Sequence, residues 1–222
     1  MNTHHTVHVA GLLFDNDGVL VDSTAAVEAS WRAFASWYDL PVDELLSRVH
    51  GRRSREIIDH YADQLPVPPE KAYARYIDAC IRDFADVDLL PGAAELVAAL
   101  PPHGWAVVTS GTKIVTQARW RAAGLGHPPE LITADDVSQG KPHPDPYRIA
   151  AGRLRLDPAN CLVIEDAPAG LAAASAAGCT SLALLTTHHQ DELNADLIAV
   201  DLTSVRVSEN AGFDVSVHPP PE

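Results

Sequence analysis

The chain predicts an α/β fold: a doubly wound parallel sheet with an all-helical segment inserted after its first strand. Three observations carry this. Four short apolar runs begin at Val9 (VAGLLFDND), Trp105 (WAVVTSG), Cys161 (CLVIEDAP) and Thr180 (TSLALLTT). They are rich in Val, Ile and Leu and do not alternate, as expected of strands buried on both faces. Helix-period stretches lie between them, and alternating strands and helices build a parallel sheet. Residues 22–90 interrupt this rhythm with helical patterns and no strand run.

In chain order, the first run ends in Asp15 and Asp17. Val27, Trp31, Phe34 and Tyr38 then follow at steps of four, three and four, one face of a helix. Pro41 starts a shorter helix that Gly51 stops. Tyr73, Ile77, Ile81 and Phe84 mark a further helical face. After the strand at Trp105, a helix over Lys113–Ala123 ends at Gly124. Helices over Asp145–Leu154 and Ala169–Ala177 follow, the second closing on Gly178. Beyond Asp201 the pattern weakens, and VSVHPPPE reads as frayed surface. The histidines at 4, 5 and 8 read as part of a mobile end without a functional site. The resulting division is a core of residues 1–21 and 91–222 and a helical cap of residues 22–90, hinged near Asp22 and Leu90–Pro91.

A length of 222 residues suits one ordinary domain plus an insert. With 46% hydrophobic and 21% charged residues, disordered and fibrous classes are excluded. Sixteen Lys and Arg against 30 Asp and Glu leave a formal charge of −14, which repels nucleic acid but not a small phosphate ester held by a few placed cations. Cys80, Cys161 and Cys179 are too scattered for a disulfide framework and read as buried thiols in a reducing compartment. The opening residues lack the basic region of a signal peptide, and no uninterrupted apolar stretch reaches about 18 residues. A cytoplasmic monomer without membrane partners is expected.

Three strand ends deliver polar residues: Asp15 and Asp17, Thr109 and Ser110, Glu165 and Asp166. In a doubly wound sheet these ends converge, and the ligand site lies there. Four carboxylates in one cleft repel unless protons or a cation compensate them, and hard oxygen donors suit Mg²⁺. Lys141, one of three lysines in the chain, stands between Gly140 and Pro142 on a loop before a helix. The Asp-Asn-Asp-Gly turn would also fit a calcium loop, but EF-hand spacing needs a third ligand where Val19 stands.

LLFDNDGVLVDS, TSG at 109–111, GKPHPDPY and VIEDAPAG occur in that order from Leu12 to Gly170. Together they resemble the four motifs of haloacid dehalogenase-like phosphatases with a small helical cap. HGRRSREI at 50–57, ITADDVSQGKPHPDPY and DLTSV are similar to the 2-deoxyglucose-6-phosphatase and glycerol-3-phosphatase group. The resemblance covers all but the two ends of the chain and implies a Rossmann-like core. It implies Asp15 as nucleophile, Asp17 as acid and base, and Ser110 and Lys141 as holders of the phosphoryl oxygens. It also implies Mg²⁺ held by Asp15, the Asp17 carbonyl, Asp166 and Glu165. Thr109 and Gly111 would line the phosphate site, and His50, Gly51, Arg53 and Glu28 would meet the sugar or polyol. Asn16 departs from the group's apolar residue, at a position expected to face away from substrate.

The activity implied is Mg²⁺-dependent hydrolysis of small sugar or polyol monophosphates through an aspartyl phosphate. A β-phosphoglucomutase-type mutase shares the motifs, but its cap histidine aligns with Val27 here. Asp17 speaks against a dehalogenase. The setting of Lys71, the one cap lysine, speaks against a phosphonatase. A phosphate-binding protein without catalysis is the reading of another class, and the presence of Asp15, Asp17, Lys141 and Asp166 disfavours it.

Overall fold

The computed structural model describes residues 5–49, 52–83 and 86–218. Strand β1 (His5–Val9) leads into β2 (Gly11–Phe14), whose four residues are all buried. A short β3 (Val21–Asp22) precedes four helices: α1 (Thr24–Tyr38), α2 (Val42–Leu46), α3 (Ser54–His60) and α4 (Pro69–Arg82). Strand β4 (Asp88–Leu89) returns antiparallel to β3, pairing Val21 with Leu89 and Asp22 with Asp88. The rest of the chain alternates: α5 (Ala93–Ala99), β5 (Trp105–Val108), α6 (Lys113–Ala122), β6 (Glu130–Ile132), α7 (Asp145–Leu154), β7 (Cys161–Glu165), α8 (Pro168–Ala177), β8 (Thr180–Leu184) and β9 (Leu197–Ala199). Strands β10 (Val205–Glu209) and β11 (Phe213–Val217) close it.

Six strands form a parallel sheet in the order β6-β5-β2-β7-β8-β9. The central strand β2 sets Leu12 beside Trp105 and Leu162, and Phe14 beside Val107 and Ile164. Successive side chains leave a strand on opposite faces. Leu12, Phe14, Val107, Leu162 and Ile164 therefore pack with α5, Trp120 and Phe213 on one side. Leu13, Ala106, Val108 and Val163 meet Tyr147 and Ala150 of α7 and Ala173 and Ala174 of α8 on the other. A sheet covered on both faces is what unbroken apolar strands require.

The four helices after β3 surround a separate apolar cluster that includes Trp31, Phe34, Leu45, Ile58, Tyr61 and Tyr76. Trp31 stacks on Tyr76 with ring centroids 4.2 Å apart. Val115 of α6 completes this cluster, so the helical layer rests on the sheet layer through α6. Among the described residues, no helix is long and apolar enough to cross a membrane.

Some expected elements differ. The tail is not frayed up to residue 218: β11 runs between β1 and β10 and buries Phe213 and Val215. His8 belongs to β1, where its Nδ1 lies 2.7 Å from Asp214. The helix after Pro41 ends at Leu46, ahead of the expected stop at Gly51, which lies outside the described residues. On α4 the buried face is Ala72, Tyr76, Ala79 and Cys80, one residue out of phase with the expected Tyr73, Ile77 and Ile81. Phe84, the last of that series, is also outside the described residues.

Candidate active site

The carboxyl end of β2 carries Asp15, whose backbone N–H donates to Ile164 O at 2.9 Å. That bond ties the residue to the end of β7, where Glu165 and Asp166 stand. Lys141, on the loop ahead of α7, reaches beneath all of them with a side chain only 3% exposed. Its ammonium donates to Asp15 Oδ1 at 2.5 Å, Glu165 Oε1 at 2.7 Å and Val108 O at 3.0 Å. A buried ammonium has three protons to satisfy, and all three are used here.

Glu165 is 1% exposed, and both its oxygens are engaged. Oε1 accepts from Lys141 and from the Tyr147 hydroxyl at 2.8 Å. Oε2 accepts from the backbone of Asp166 at 3.0 Å and of Ala167 at 3.2 Å. This makes Glu165 the anchor of the lysine, although it shares the acidic cluster expected to hold metal. Asp166 accepts from the Thr187 hydroxyl, and its carbonyl lies 3.1 Å from His188 Nδ1. Gly18 passes so near that a Cβ there would sit 2.1 Å from Asp166 Oδ2. Its φ of +86° is one that a side chain rarely allows.

Asp17 faces a different set of donors. Arg119 Nη1 and Ser23 Oγ donate to its Oδ1, the arginine at 2.8 Å. Asn16 Nδ2 at 3.0 Å and Thr109 Oγ1 at 3.4 Å donate to its Oδ2. Burial works to raise the Asp17 carboxyl, but Arg119 and then the Ser23, Asn16 and Thr109 donors outweigh it and hold the group below its usual range.

The cluster around Lys141 moves the other way. Burial raises Asp166 to about 7, with the Glu165 charge adding to the rise. Burial likewise lifts Asp15 well above the carboxylate range; Lys141 opposes this in part, while Glu165, Asp166 and Asp17 reinforce it. Burial disfavours the lysine charge, yet Asp15 and Glu165 outweigh that and raise Lys141 above its ordinary value. One ammonium thus faces three carboxylates. Oxygens of Asp15, Glu165 and Asp166 lie within 4.8 Å of one another. This all-oxygen set, short of positive charge, fits a hard divalent cation.

A cavity of about 430 Å³ opens over these residues. Asp15, Asp17, Ser110, Gly111, Lys141 and Asp166 line its floor, while Val27, Trp31, Val49, Arg52, Tyr76 and Ile77 line the helical side. The sheet thus brings together Asp15, Asp17, Thr109, Ser110, Gly111, Lys141, Glu165 and Asp166 as the motif order leads one to expect. Thr109 also lines the cavity, and its hydroxyl donates to Asp17 and accepts from Gly111 N at 3.0 Å.

The expected cap contacts need correction. Glu28 pairs with Arg32 at 3.5 Å and does not line the cavity, because one residue step along α1 turns it away from Val27. Arg53 also stands apart from the lining. It pairs with Glu56 at 2.5 Å, donates to Val137 O at 3.2 Å, and covers Gly140 beside Lys141. Arg52 takes the lining position instead. His50 and Gly51 lie outside the described residues. Asn16 does face away from the cavity lining, but it is not idle: Trp120 Nε1 donates to its Oδ1 at 2.6 Å. Sequence reasoning missed Arg119, Tyr147, Thr187 and His188. Arg119 differs in no local respect from Arg121, while TTHH directly after an apolar strand run was a usable signal for Thr187 and His188.

These residues, in this order and on these strand ends, define a hydrolase class. Residues 9–178 match the family model for haloacid dehalogenase-like hydrolases, and the chain belongs to that family. Among its relatives, hexitol phosphatase A of Escherichia coli is 37% identical over 213 residues, covering 93% of this chain and 98% of that protein. Glycerol-1-phosphate phosphohydrolase 2 of Saccharomyces cerevisiae is 35% identical, covering 91% and 86%. A solved hydrolase from Pseudomonas syringae superimposes with a TM-score of 0.72 at 25% identity, over 87% of this chain and 94% of that one.

Proposed function

We propose that the chain is a Mg²⁺-dependent phosphoric monoester hydrolase acting on small sugar or polyol monophosphates. The observation that carries this is the separation of two carboxylates one residue apart: Asp15 on Lys141 and Asp17 on Arg119. The two acids thus sit on separate cations, Asp15 inside the acidic cluster and Asp17 outside it. Asp15 attacks phosphorus as the bond to the leaving oxygen breaks, forming an aspartyl phosphate. Asp17, ionised in the free chain, gains a proton from solvent on substrate binding, passes it to that oxygen and then takes a proton from the water that hydrolyses the intermediate. Ser110 and Gly111, on the cavity floor, meet the phosphoryl oxygens together with Lys141. Glu165 and Tyr147 keep Lys141 in place.

Asp15, Asp166 and the Asp17 carbonyl would hold Mg²⁺, with Glu165 bordering the site; the ion would supply positive charge to the phosphoryl group and to the carboxylates around it. The cap of residues 22–90 closes over this floor, hinging where β3 pairs with β4. Relatives that act on hexitol and glycerol phosphates support the substrate class, and the cavity volume is that of a small ligand site. Val27 on the cavity wall leaves no imidazole where a mutase would carry one. The test is phosphate release across sugar, deoxysugar, polyol and glycerol phosphates, with and without Mg²⁺. Selective, Mg²⁺-dependent release is expected. No release, with interconversion of hexose phosphates on adding a bisphosphate, would give the mutase. Binding without either reaction would give the non-catalytic reading.

A further inference from the structure

Between the two aspartates, Asn16 is 1% exposed, and both polar atoms of its side chain are hydrogen-bonded. An indole N–H can only donate, so the bond from Trp120 at 2.6 Å identifies Oδ1 as its acceptor and leaves Nδ2 to donate to Asp17 at 3.0 Å. The preceding residue on α6, Arg119, is 6% exposed and pairs with the other oxygen of Asp17 at 2.8 Å. Its buried Nε has no hydrogen-bond partner, and the residue lines the cavity. With Ser23 and Thr109, two donors hold each Asp17 oxygen. The carboxylate cannot turn without breaking several charge-assisted bonds. Arg119 and Lys141 thus hold the two acids on separate cations.

We propose that Arg119, braced by the Asn16–Trp120 pair, is the positioning residue that aims Asp17 at the leaving oxygen of the substrate. The inference rests on the phosphatase reading above. In that reaction an Asp15 oxygen bonds to phosphorus, and the electron pair of the broken P–O bond stays on the leaving oxygen, which takes a proton that Asp17, ionised in the free chain, has gained from solvent on substrate binding. Water then attacks phosphorus and gives its proton to Asp17 as the Asp15–phosphorus bond breaks. An alkoxide needs that first proton, whereas 4-nitrophenolate leaves without it. Loss of aim therefore affects the first half-reaction only for the alkyl ester.

The test compares first-turnover rates on sorbitol 6-phosphate and 4-nitrophenyl phosphate for the wild type, Arg119→Met, Arg119→Lys and the Asn16→Leu/Trp120→Phe double variant. For Arg119→Met, the sorbitol phosphate rate should fall about 100-fold with KM nearly unchanged. The first nitrophenolate should still be released within about fivefold of the wild-type rate, followed by slow turnover, because the second half-reaction also needs Asp17. Arg119→Lys should recover about tenfold of the loss. The double variant should show the same leaving-group bias at smaller size, and it carries the comparison if Arg119→Met does not fold. Equal losses on both esters, or a lysine variant no better than methionine, would overturn the inference and make Arg119 a support of the fold. A wild type inactive on both esters would instead overturn the phosphatase reading, and this inference with it.

Discussion

Replacing Gly170 by alanine sets two effects against each other. Gly170 lies in the first turn of α8, where alanine is the better helix former by about 1 kcal/mol. A Cβ there would lie 1.7 Å from Glu165 Oε1 and 1.9 Å from its carboxyl carbon. To reach even 3.0 Å, the carboxylate must retreat by about 1.3 Å. Buried and held by Lys141, Tyr147 and two backbone amides, it cannot swing aside freely. Losing two of these four bonds, at about 1.5–3 kcal/mol each for a charged acceptor, costs about 3–6 kcal/mol. The clash wins, and a net loss of about 2–5 kcal/mol is expected, a large share of a typical domain stability. Urea unfolding followed by tryptophan fluorescence reads this directly, and phosphate release should fall at least about tenfold as Lys141 loses an acceptor. Gly152→Ala is the matched control: it also lies in a helix, where a Cβ meets nothing within 4 Å, so it should be neutral or slightly stabilising. An unchanged urea midpoint and turnover in Gly170→Ala would refute the claim that the Glu165 carboxylate is pinned.

Asp15→Asn should abolish turnover while circular dichroism and the unfolding midpoint stay near those of the wild type; near-normal activity would end the aspartyl-phosphate mechanism. Asp166 reaches about 7 in the folded chain against an ordinary value of 3.8, so the folded state binds its proton more tightly. The resulting stability is complete below about pH 3.8 and gone above about pH 7, worth up to about 4 kcal/mol. Metal-free protein should therefore lose stability between those limits, and Mg²⁺ should raise Tm more at pH 8 than at pH 5; a Tm gain that does not depend on pH would contradict this. Arg53→Ala should lower activity on all substrates alike, because Arg53 spans from the helical layer to the Lys141 loop; altered substrate ranking would show that it reads the substrate.

The parts of the molecule legible in the sequence are those where one physical requirement acts alone. Strands β2, β5, β7 and β8 are buried on both faces, and nothing but an apolar run satisfies that. Helix α7 begins behind prolines and ends where Arg155 takes a left-handed turn, and its bounds could be read directly. Strands β6 and β9 are three residues long at the sheet's edges, too short to show a period. Strands β10 and β11 bury one face only, and their alternation was lost among polar residues. On α4 small Ala and Cys residues form the buried face, so the larger Tyr73, Ile77 and Ile81 misled the phase. At the site, Asp15, Asp17, Lys141 and Asp166 were legible because their motifs are local and ordered. Arg119 and Tyr147 act across the fold, 102 and 18 residues from their partners, and local pattern carries no trace of that.

The pairing of the central strand also bears on how the chain is made. Strand β2 emerges early from a ribosome, yet its partners are Trp105–Val107 and Cys161–Ile164. Strand β1 waits longer still, until Phe213–Val217 have been synthesised. The helices from Thr24 to Arg82, in contrast, bury their cluster mostly against one another at short sequence separation. Local contacts form fast and distant ones slowly. The order of assembly therefore runs opposite to the order of chemistry. The helical layer gathers first, while the strand carrying the nucleophile stays unpaired until β5 and β7 arrive and needs protection from aggregation until then.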